Sequence, residues 1–390
     1  MKLNLFISLI LSLLTYLSYA QTWNIDWQHT SQKTTLDYFA DLAETPDGKF
    51  IVLGCEGNSP KNDLYLMCYD KNGNTLWTQS FTTRGNDVPH RVQCMPNGDC
   101  LILAQTGPET APQTLLLKTD LNGIEKWRST LDSGKQYLGN DVISLPDNGY
   151  LLCGSSNKTQ QQKQLWLARY NEKGEMLWEK NYAEKLQGSI LSAKRLPNND
   201  FIFSARVQGS SKNDCDIMVI RTDSLGNKIW LKQLPSPQAQ EWPECICCSP
   251  DSCFILVGWV GNCLNDINSE YPVFDHDLLV KKLDRNGTVL WSRSIDGEGS
   301  EGGNAVIVRP NGHFIAAGGK LTSFSGKVGP WLLHLDGNGD TLDELLLNIR
   351  LNQAARIINT SDGGFVVIGP GLHDKLNVRS DGWIIKFSDL

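Results

Sequence analysis

The chain is poor in the residues that most catalytic and nucleic-acid-binding functions require. It has 6 histidines and 5 methionines in 390 residues, and a formal net charge of −7. No run of lysine and arginine is present. Phosphate backbones are bound by clustered cations, so no nucleic acid is expected as a partner. The 11 cysteines (Cys55, Cys68, Cys94, Cys100, Cys153, Cys215, Cys245, Cys247, Cys248, Cys253 and Cys263) show no zinc spacing, because Cys245-Ile246-Cys247-Cys248 lacks a second Cys/His pair. No cofactor and no metal is therefore expected. Nucleophile elbows, phosphate loops and metalloprotease helices are absent, so no residue is assigned a catalytic role. No long stretch repeats apolar residues at a 3.6-residue period, which argues against a helical architecture. Beyond residue 20 no apolar run is long enough to span a bilayer, so the mature chain is expected to have no transmembrane segment.

What is present begins with an export signal. Lys2 precedes an apolar run from Leu3 to Leu17, and Ser18-Tyr19-Ala20 gives a small-x-small cleavage site. Residues 1–20 are read as a signal peptide. The mature chain is expected to be secreted, periplasmic or on the cell surface. An oxidising compartment favours disulfides. Five cysteines lie between 245 and 263, and at least one bridge is expected among them. An odd total leaves one thiol unpaired within the chain.

Residues 21–390 are dominated by two alternating repeats. The first is Asp-x-x-Gly with Trp four residues later: Asp70/Gly73/Trp77, Asp120/Gly123/Trp127, Asn171/Gly174/Trp178, Asp223/Gly226/Trp230 and Asp284/Gly287/Trp291. A sixth copy keeps Asp336 and Gly339 but has Asp343 in place of Trp. The second is a turn before an apolar strand, at Pro46, Pro96, Pro146, Pro197, Pro250, Pro310 and Ser361. Segment 24–30, with Trp27, aligns with 74–80 and supplies the missing first Trp segment. From Trp27 to Asp343 the intervals are 50, 50, 51, 52, 61 and 52. Asn-Gly and Asp-Gly provide the positive φ that tight hairpins need. Each repeat reads as four strands. The expected fold is all-β: a single-domain, seven-bladed β-propeller of four-stranded blades, closed by the N-terminal strand completing the last blade. The recurring Trp is expected to pack between neighbouring sheets.

The Ser-Asp-Gly-Gly-Phe turn and the Asp-x-Asn-Gly-Asn-x-x-Trp segment resemble repeats of secreted bacterial β-propeller proteins. The resemblance spans residues 22–390 and implies the architecture, not an activity. Quinoprotein dehydrogenases are similar in a repeated Asp…Gly…Trp motif, but theirs has one more residue and usually eight blades. Sialidases are similar in repeated Asp-box turns, but their spacing is tighter and no arginine cluster for a carboxylate is evident here.

Candidate site residues lie in two groups. Acidic residues recur nine positions before the turn residue, at Asp37, Asp87, Glu241 and Glu301. They mark the start of the innermost strand, near the channel mouth, where converging carboxylates suit a cation or a basic ligand. A second recurrence, Asp63, Asp216, Asp277 and Asp381, marks a strand entry and is read as a cap. The turn Asp336-Gly-Asn-Gly-Asp340 has too few oxygens for a calcium loop and is read as a hairpin. The second group is the segment from Trp259 to His276, about ten residues longer than its counterparts. It carries Tyr271, Phe274 and His276, with Trp242 at the start of the same blade. A pocket is expected between this segment and the nearby Glu241 and Glu301. Aromatics beside carboxylates suit a carbohydrate or a peptide, and another envelope protein is a further expected partner. The chain is expected to be a monomeric binding or scaffold module. The alternative is a polysaccharide-active hydrolase or lyase.

Overall fold

The computed structural model describes residues 23–388 apart from 32–35, 59–60, 84, 109, 132–134, 158–162, 184–185, 210–214, 235–239, 264–273, 297–298, 322–327, 348–351 and 372–380. The expected signal peptide and Tyr271 lie outside the described residues, as do the side chains of Cys263 and Phe274.

Seven four-stranded antiparallel sheets form seven blades, numbered from the chain start, and the strand order within each of the first six is sequential. Blade 1 consists of Leu36–Glu44, Phe50–Asn58, Lys61–Tyr69 and Thr75–Phe81. Blades 2 to 6 repeat it over 88–130, 136–182, 188–234, 240–295 and 301–346. Blade 7 combines Arg356–Asn359, Phe365–Gly369 and Trp383–Phe387 with Ile25–Thr30 from the chain start. In that last pairing Trp27 lies opposite Lys386 and Thr30 opposite Trp383. The expected propeller and its closure are therefore present.

Both inner strands of each blade are covered on two faces, so they read as apolar runs rather than alternating ones. Phe50, Ile51, Val52 and Leu53 are all buried, as are Tyr69, Cys68, Met67 and Leu66 opposite them. The outer strand has only its Trp half-covered, as in Ile25–Thr30.

The Asp-x-x-Gly-x-x-x-Trp motif has a local and a long-range part. Locally, the leading Asp is an Asx cap: Asp70 Oδ1 accepts from the N–H groups of Asn72 (2.9 Å) and Asn74 (2.8 Å). Asp120, Asn171, Asp223, Asp284 and Asp336 do the same. The calcium-like segment at Asp336 is thus a hairpin turn. Over longer range, each Trp lies on the turn glycine of the next blade. A Cβ placed on Gly123 would come within 2.7 Å of the Trp77 ring, and the same holds for Gly73 and Trp27, or Gly339 and Trp291. Gly123 also has φ +77°, so it is required twice over, for its backbone and for the indole above it.

This contact explains the irregular sixth copy. The outer hairpin of blade 7 is made from the two chain ends, so no turn glycine exists there to be covered. Asp343 takes the Trp position and accepts a hydrogen bond from Trp23 Nε1 at 2.8 Å. Trp23 packs edge-on against Phe365 and Phe387. Blade 7 is tied on to blade 1 by Glu44, which accepts from the Ser361 N–H at 2.9 Å.

Two outcomes test this account. Gly123→Ala should cost about 2–4 kcal/mol of unfolding free energy, strained φ and overpacking together. In a Trp77→Ala background the same change should cost only about 1–2 kcal/mol, the backbone part alone. Denaturant titration of the four-membered cycle measures the coupling, and an additive cycle would refute the contact. Deleting residues 21–31 should expose the edge at Trp383–Phe387 and give aggregation or a large loss of thermal stability. A deletion variant melting within a few degrees of the parent contradicts closure.

Candidate functional site

The first strand of each of blades 1 to 6 carries a bulge at one register position. It inserts Ala40, His90, Asn140, Leu191, Glu244 and Asn304 respectively. A bulge bends a strand and re-aims the residues around it. Here it lets the following residue reach the next blade. Asp41 Oδ2 accepts from the Val92 N–H (2.8 Å), Asp141 Oδ2 from the Ala193 N–H (2.9 Å) and Ser192 Oγ from the Ile246 N–H (3.3 Å). The same carboxylates are ion-paired to arginines of the preceding blade, Arg356 with Asp41 at 3.0 Å and Arg91 with Asp141 at 3.1 Å. Blades 7 to 5 are thereby linked in series around the axis.

Charges near the axis act on one another beyond adjacent blades. Blades 2 and 5 are not neighbours, yet Glu244 interacts with Arg91 as well as with Arg206 of blade 4. Burial raises the Glu244 carboxyl above its ordinary range, while Arg91, a hydrogen bond from Trp259 and Arg206 oppose the rise. Burial, with the Arg91 charge beside it, lowers His90 to about 4, so this imidazole is neutral at pH 7.

A row of planar groups stands at the end of the propeller where the first strands begin. The Arg206 guanidinium lies 3.6 Å from the Trp242 ring centre. Trp242 stacks on Trp259, directly opposite on the next strand, with centroids 4.7 Å apart at 24°. Trp259 meets His276 at 4.2 Å. Arg206 makes no hydrogen bond or ion pair with a described residue, and burial lowers its otherwise high pKa. Beside it opens a cleft of about 420 Å³ between blades 3 and 4, lined by Asn140, Ser155, Lys163, Ser189, Arg206 and Gln208 among others, with no acidic side chain among the described residues that line it.

Of the expected site residues, the structure brings Trp242 and His276 together through Trp259. Asp37, Asp87, Glu241 and Glu301 are all buried, and each has partners of its own. Asp37 accepts from the Tyr65 hydroxyl (2.8 Å), Asp87 from the Thr83 hydroxyl (2.7 Å), and Glu241 pairs with Lys281 (2.9 Å). Glu301 gathers with Asp277 and Asp296, their oxygens within 4.8 Å of one another. None of the four is a partner of another. Among the described residues no disulfide is present. Cys245, Cys247, Cys248 and Cys253 are free thiols. Cys94 and Cys100 face each other across a hairpin with Sγ atoms 3.1 Å apart.

Sequence reasoning missed Arg206 and Glu244. Comparing the repeats position by position would have found them. Arg206 and Trp259 occupy a position held elsewhere by Cys55, Gln105, Ser155, Gly319 and Pro370, and Glu244 is the sole acid at the bulge.

No family model and no curated protein matches the chain. Solved structures do. A protein of unknown function from Dyadobacter fermentans has a TM-score of 0.55 at 8% identity, covering 93% of this chain and 99% of that one. An ulvan lyase, a polysaccharide lyase, has a TM-score of 0.58 at 10% identity, covering 90% and 95%. The WD40 domain of Pan2 from Neurospora crassa has 0.56 at 10%, covering 93% and 95%. Identities this low establish a shared propeller fold and nothing about chemistry.

The inner ring has a measurable consequence. Arg91→Ala leaves Asp141 buried without its partner, and should lower unfolding free energy by about 3–5 kcal/mol. Equilibrium denaturation reads this, and a loss below about 1 kcal/mol, the size of an exposed pair, would show that the ring carries no weight.

Proposed function

We propose that the chain is an exported, non-catalytic binding module whose ligand is an acidic saccharide held in the cleft between blades 3 and 4. The observation that carries this reading is Arg206. Its guanidinium sits over the Trp242 ring, and its N–H groups are used by no described residue at the edge of a cleft whose described lining carries no acid. A guanidinium presents paired donors that match a carboxylate or sulfate. Stacking removes its rotamer freedom before the ligand arrives, which lowers the entropic cost of binding. Around it Asn140, Ser155, Ser189 and Gln208 offer amides and hydroxyls suited to sugar hydroxyls, and Lys163 adds a second cation. The ulvan lyase of similar fold was solved bound to a saccharide containing glucuronate and sulfated rhamnose. That ligand belongs to the lyase, and the assignment here rests on Arg206.

One observation favours the polysaccharide hydrolase or lyase reading instead. Glu244, with its raised pKa near Arg206, has the character of a proton donor. Release of reducing ends or unsaturated products from acidic polysaccharides, abolished in Glu244→Gln, would replace the binding role with catalysis.

The direct test is calorimetry of the mature chain with oligogalacturonates, sulfated oligosaccharides and neutral oligosaccharides of equal length. Acidic ligands should bind in preference to neutral ones. Arg206→Gln should weaken them by about 10–100-fold, the worth of one charge-assisted contact. Trp242→Ala should weaken them less, by loosening the support behind Arg206. Equal affinity for neutral sugars, or undiminished binding by Arg206→Gln, rejects the proposal.

A further inference from the structure

The two acidic recurrences along the chain belong to one another. The residue nine before the turn is acidic at Asp37, Asp87, Glu241 and Glu301, and is Tyr137, Gly188 and Asn352 in the other repeats. The residue seven before the turn residue that follows the third strand is acidic at Asp63, Asp216, Asp277 and Asp381, and is Gln113, Gln164 and Gly329 elsewhere. The first position opens a blade, and the second sits on the third strand of the blade before it. The acids therefore meet in pairs at blade junctions: Asp381 with Asp37, Asp63 with Asp87, Asp216 with Glu241 and Asp277 with Glu301. At all seven junctions both acids are present or neither is. A cap acting only on its own loop would have no reason to track an acid on the neighbouring blade.

The geometry makes the pairing costly as it stands. Asp87 is fully buried, and its carboxyl is raised by burial and, among smaller causes, by the nearby Asp63 charge. Asp37 is raised by burial and, in smaller part, by Asp381. Asp87 Oδ1 takes the Thr83 hydroxyl, but Oδ2 is buried without a hydrogen-bond partner, and so is Asp63 Oδ1 across the junction. No lysine or arginine among the described residues forms an ion pair with Asp63 or Asp87; Arg128, itself paired with Glu125, acts on Asp87 only as a more distant charge. Two like charges with open oxygens, shielded from water, repel unless a positive charge sits between them. The junction of blades 4 and 5 shows the alternative, because there Lys281 supplies the charge to Glu241 at 2.9 Å. At blades 5 and 6 three carboxylates, Asp277, Asp296 and Glu301, converge within 4.8 Å. Neutral oxygens complete the surroundings at blades 1 and 2, where the Thr83 and Thr106 hydroxyls are 3.1 Å apart beside Asp87. Hard oxygen donors without nitrogen or sulfur suit Ca²⁺.

We propose that the junction of blades 1 and 2 binds a divalent cation, Ca²⁺, between Asp63 and Asp87, and that the Asp277–Asp296–Glu301 cluster is a second copy of the site. This departs from the sequence-level expectation of no metal and is independent of the saccharide reading. The cation serves as an inter-blade staple: it joins the third strand of one blade to the first strand of the next. The sites are distributed around the ring, so metal binding strengthens closure as a whole.

The experiment uses the full mature chain, stripped with EDTA and then titrated with CaCl₂, with MgCl₂ in parallel. Calcium should raise the melting temperature by several degrees and be retained on gel filtration, with bound metal counted by elemental analysis. Magnesium should do less, because it requires a tighter octahedron. The Asp63→Asn/Asp87→Asn variant should keep one fewer Ca²⁺ per chain. Its metal-free form should melt no lower than the metal-free parent, since the amides remove a repulsion. That control separates loss of metal from loss of fold. An EDTA-stripped parent that ignores calcium would mean that each pair shares a proton instead, and overturns the proposal. So does a double variant that binds as many calcium ions as the parent.

Discussion

The indole of each outer strand rests on the turn glycine of the next blade, and the rest of the ring depends on that contact. It is directional: a blade covers its successor and is covered by its predecessor. A row of such contacts has no natural end, so the architecture must either close or leave one blade uncovered. Closure here brings the two chain ends into the same sheet. At that one place the hairpin has no turn, and the Trp-on-glycine contact has nothing to rest on. The substitution of Asp343 for Trp, with Trp23 coming in from the chain start to bond to it, repairs the pattern at its only break. The sixth repeat is thus irregular because of topology rather than drift.

A second ring, close to the axis, works by polar means. Bulged first strands release one backbone register per blade, and in blades 1, 3 and 4 the side chain after the bulge satisfies an N–H of the blade beyond. Buried ion pairs are weak contributors to net stability, because desolvation offsets the attraction. Their value in this position is geometric: a carboxylate that bonds one blade's N–H and the previous blade's arginine fixes three blades in register. The outer contacts set the spacing between sheets, and the inner ones set their height along the axis.

Much of this was legible in the sequence, because a repeat displays one physical requirement several times. Asp70, Asp120 and Asp223 announce a capped turn, and Gly73 or Gly123 with Trp four residues on announces the hairpin. Six copies distinguish a rule from a coincidence. The chain ends were legible for the same reason, since the copies of the two motifs matched only if residues 24–30 completed the last blade. Arg206 and Glu244 were not legible in that way. Neither belongs to a motif, and what makes each notable is a group on another blade: the Trp242 ring for the arginine, the charge of Arg91 on a non-adjacent blade for the glutamate. Such proximity depends on closure and on bulge geometry, and no spacing along the chain encodes it. The pocket expected between the long segment after Trp259 and the nearby Glu241 and Glu301 depends on residues 264–273, which lie outside the described residues; Trp242 and His276 are described, one on either side of Trp259. Tyr271 and the Phe274 side chain lie outside the described residues.

A repeated scaffold constrains where chemistry can reside. Any residue that recurs in every blade is committed to holding the ring, because removing one copy unbalances its neighbours. Residues free to acquire a function are those in which the copies differ, and they fall into two kinds. Some differ singly, like Arg206, the one cation among its seven equivalent positions, and place one group at one point on the rim. Others differ in concert, like the paired acids present at four junctions and absent from three. Single departures suit recognition of an asymmetric ligand, which needs a unique point of attachment. Concerted departures suit something that acts alike at several junctions, as an ion does. The two proposals made for this chain follow from that distinction: an asymmetric saccharide in the cleft between blades 3 and 4, and a spherical cation where carboxylates meet between blades without a lysine or arginine to pair with them.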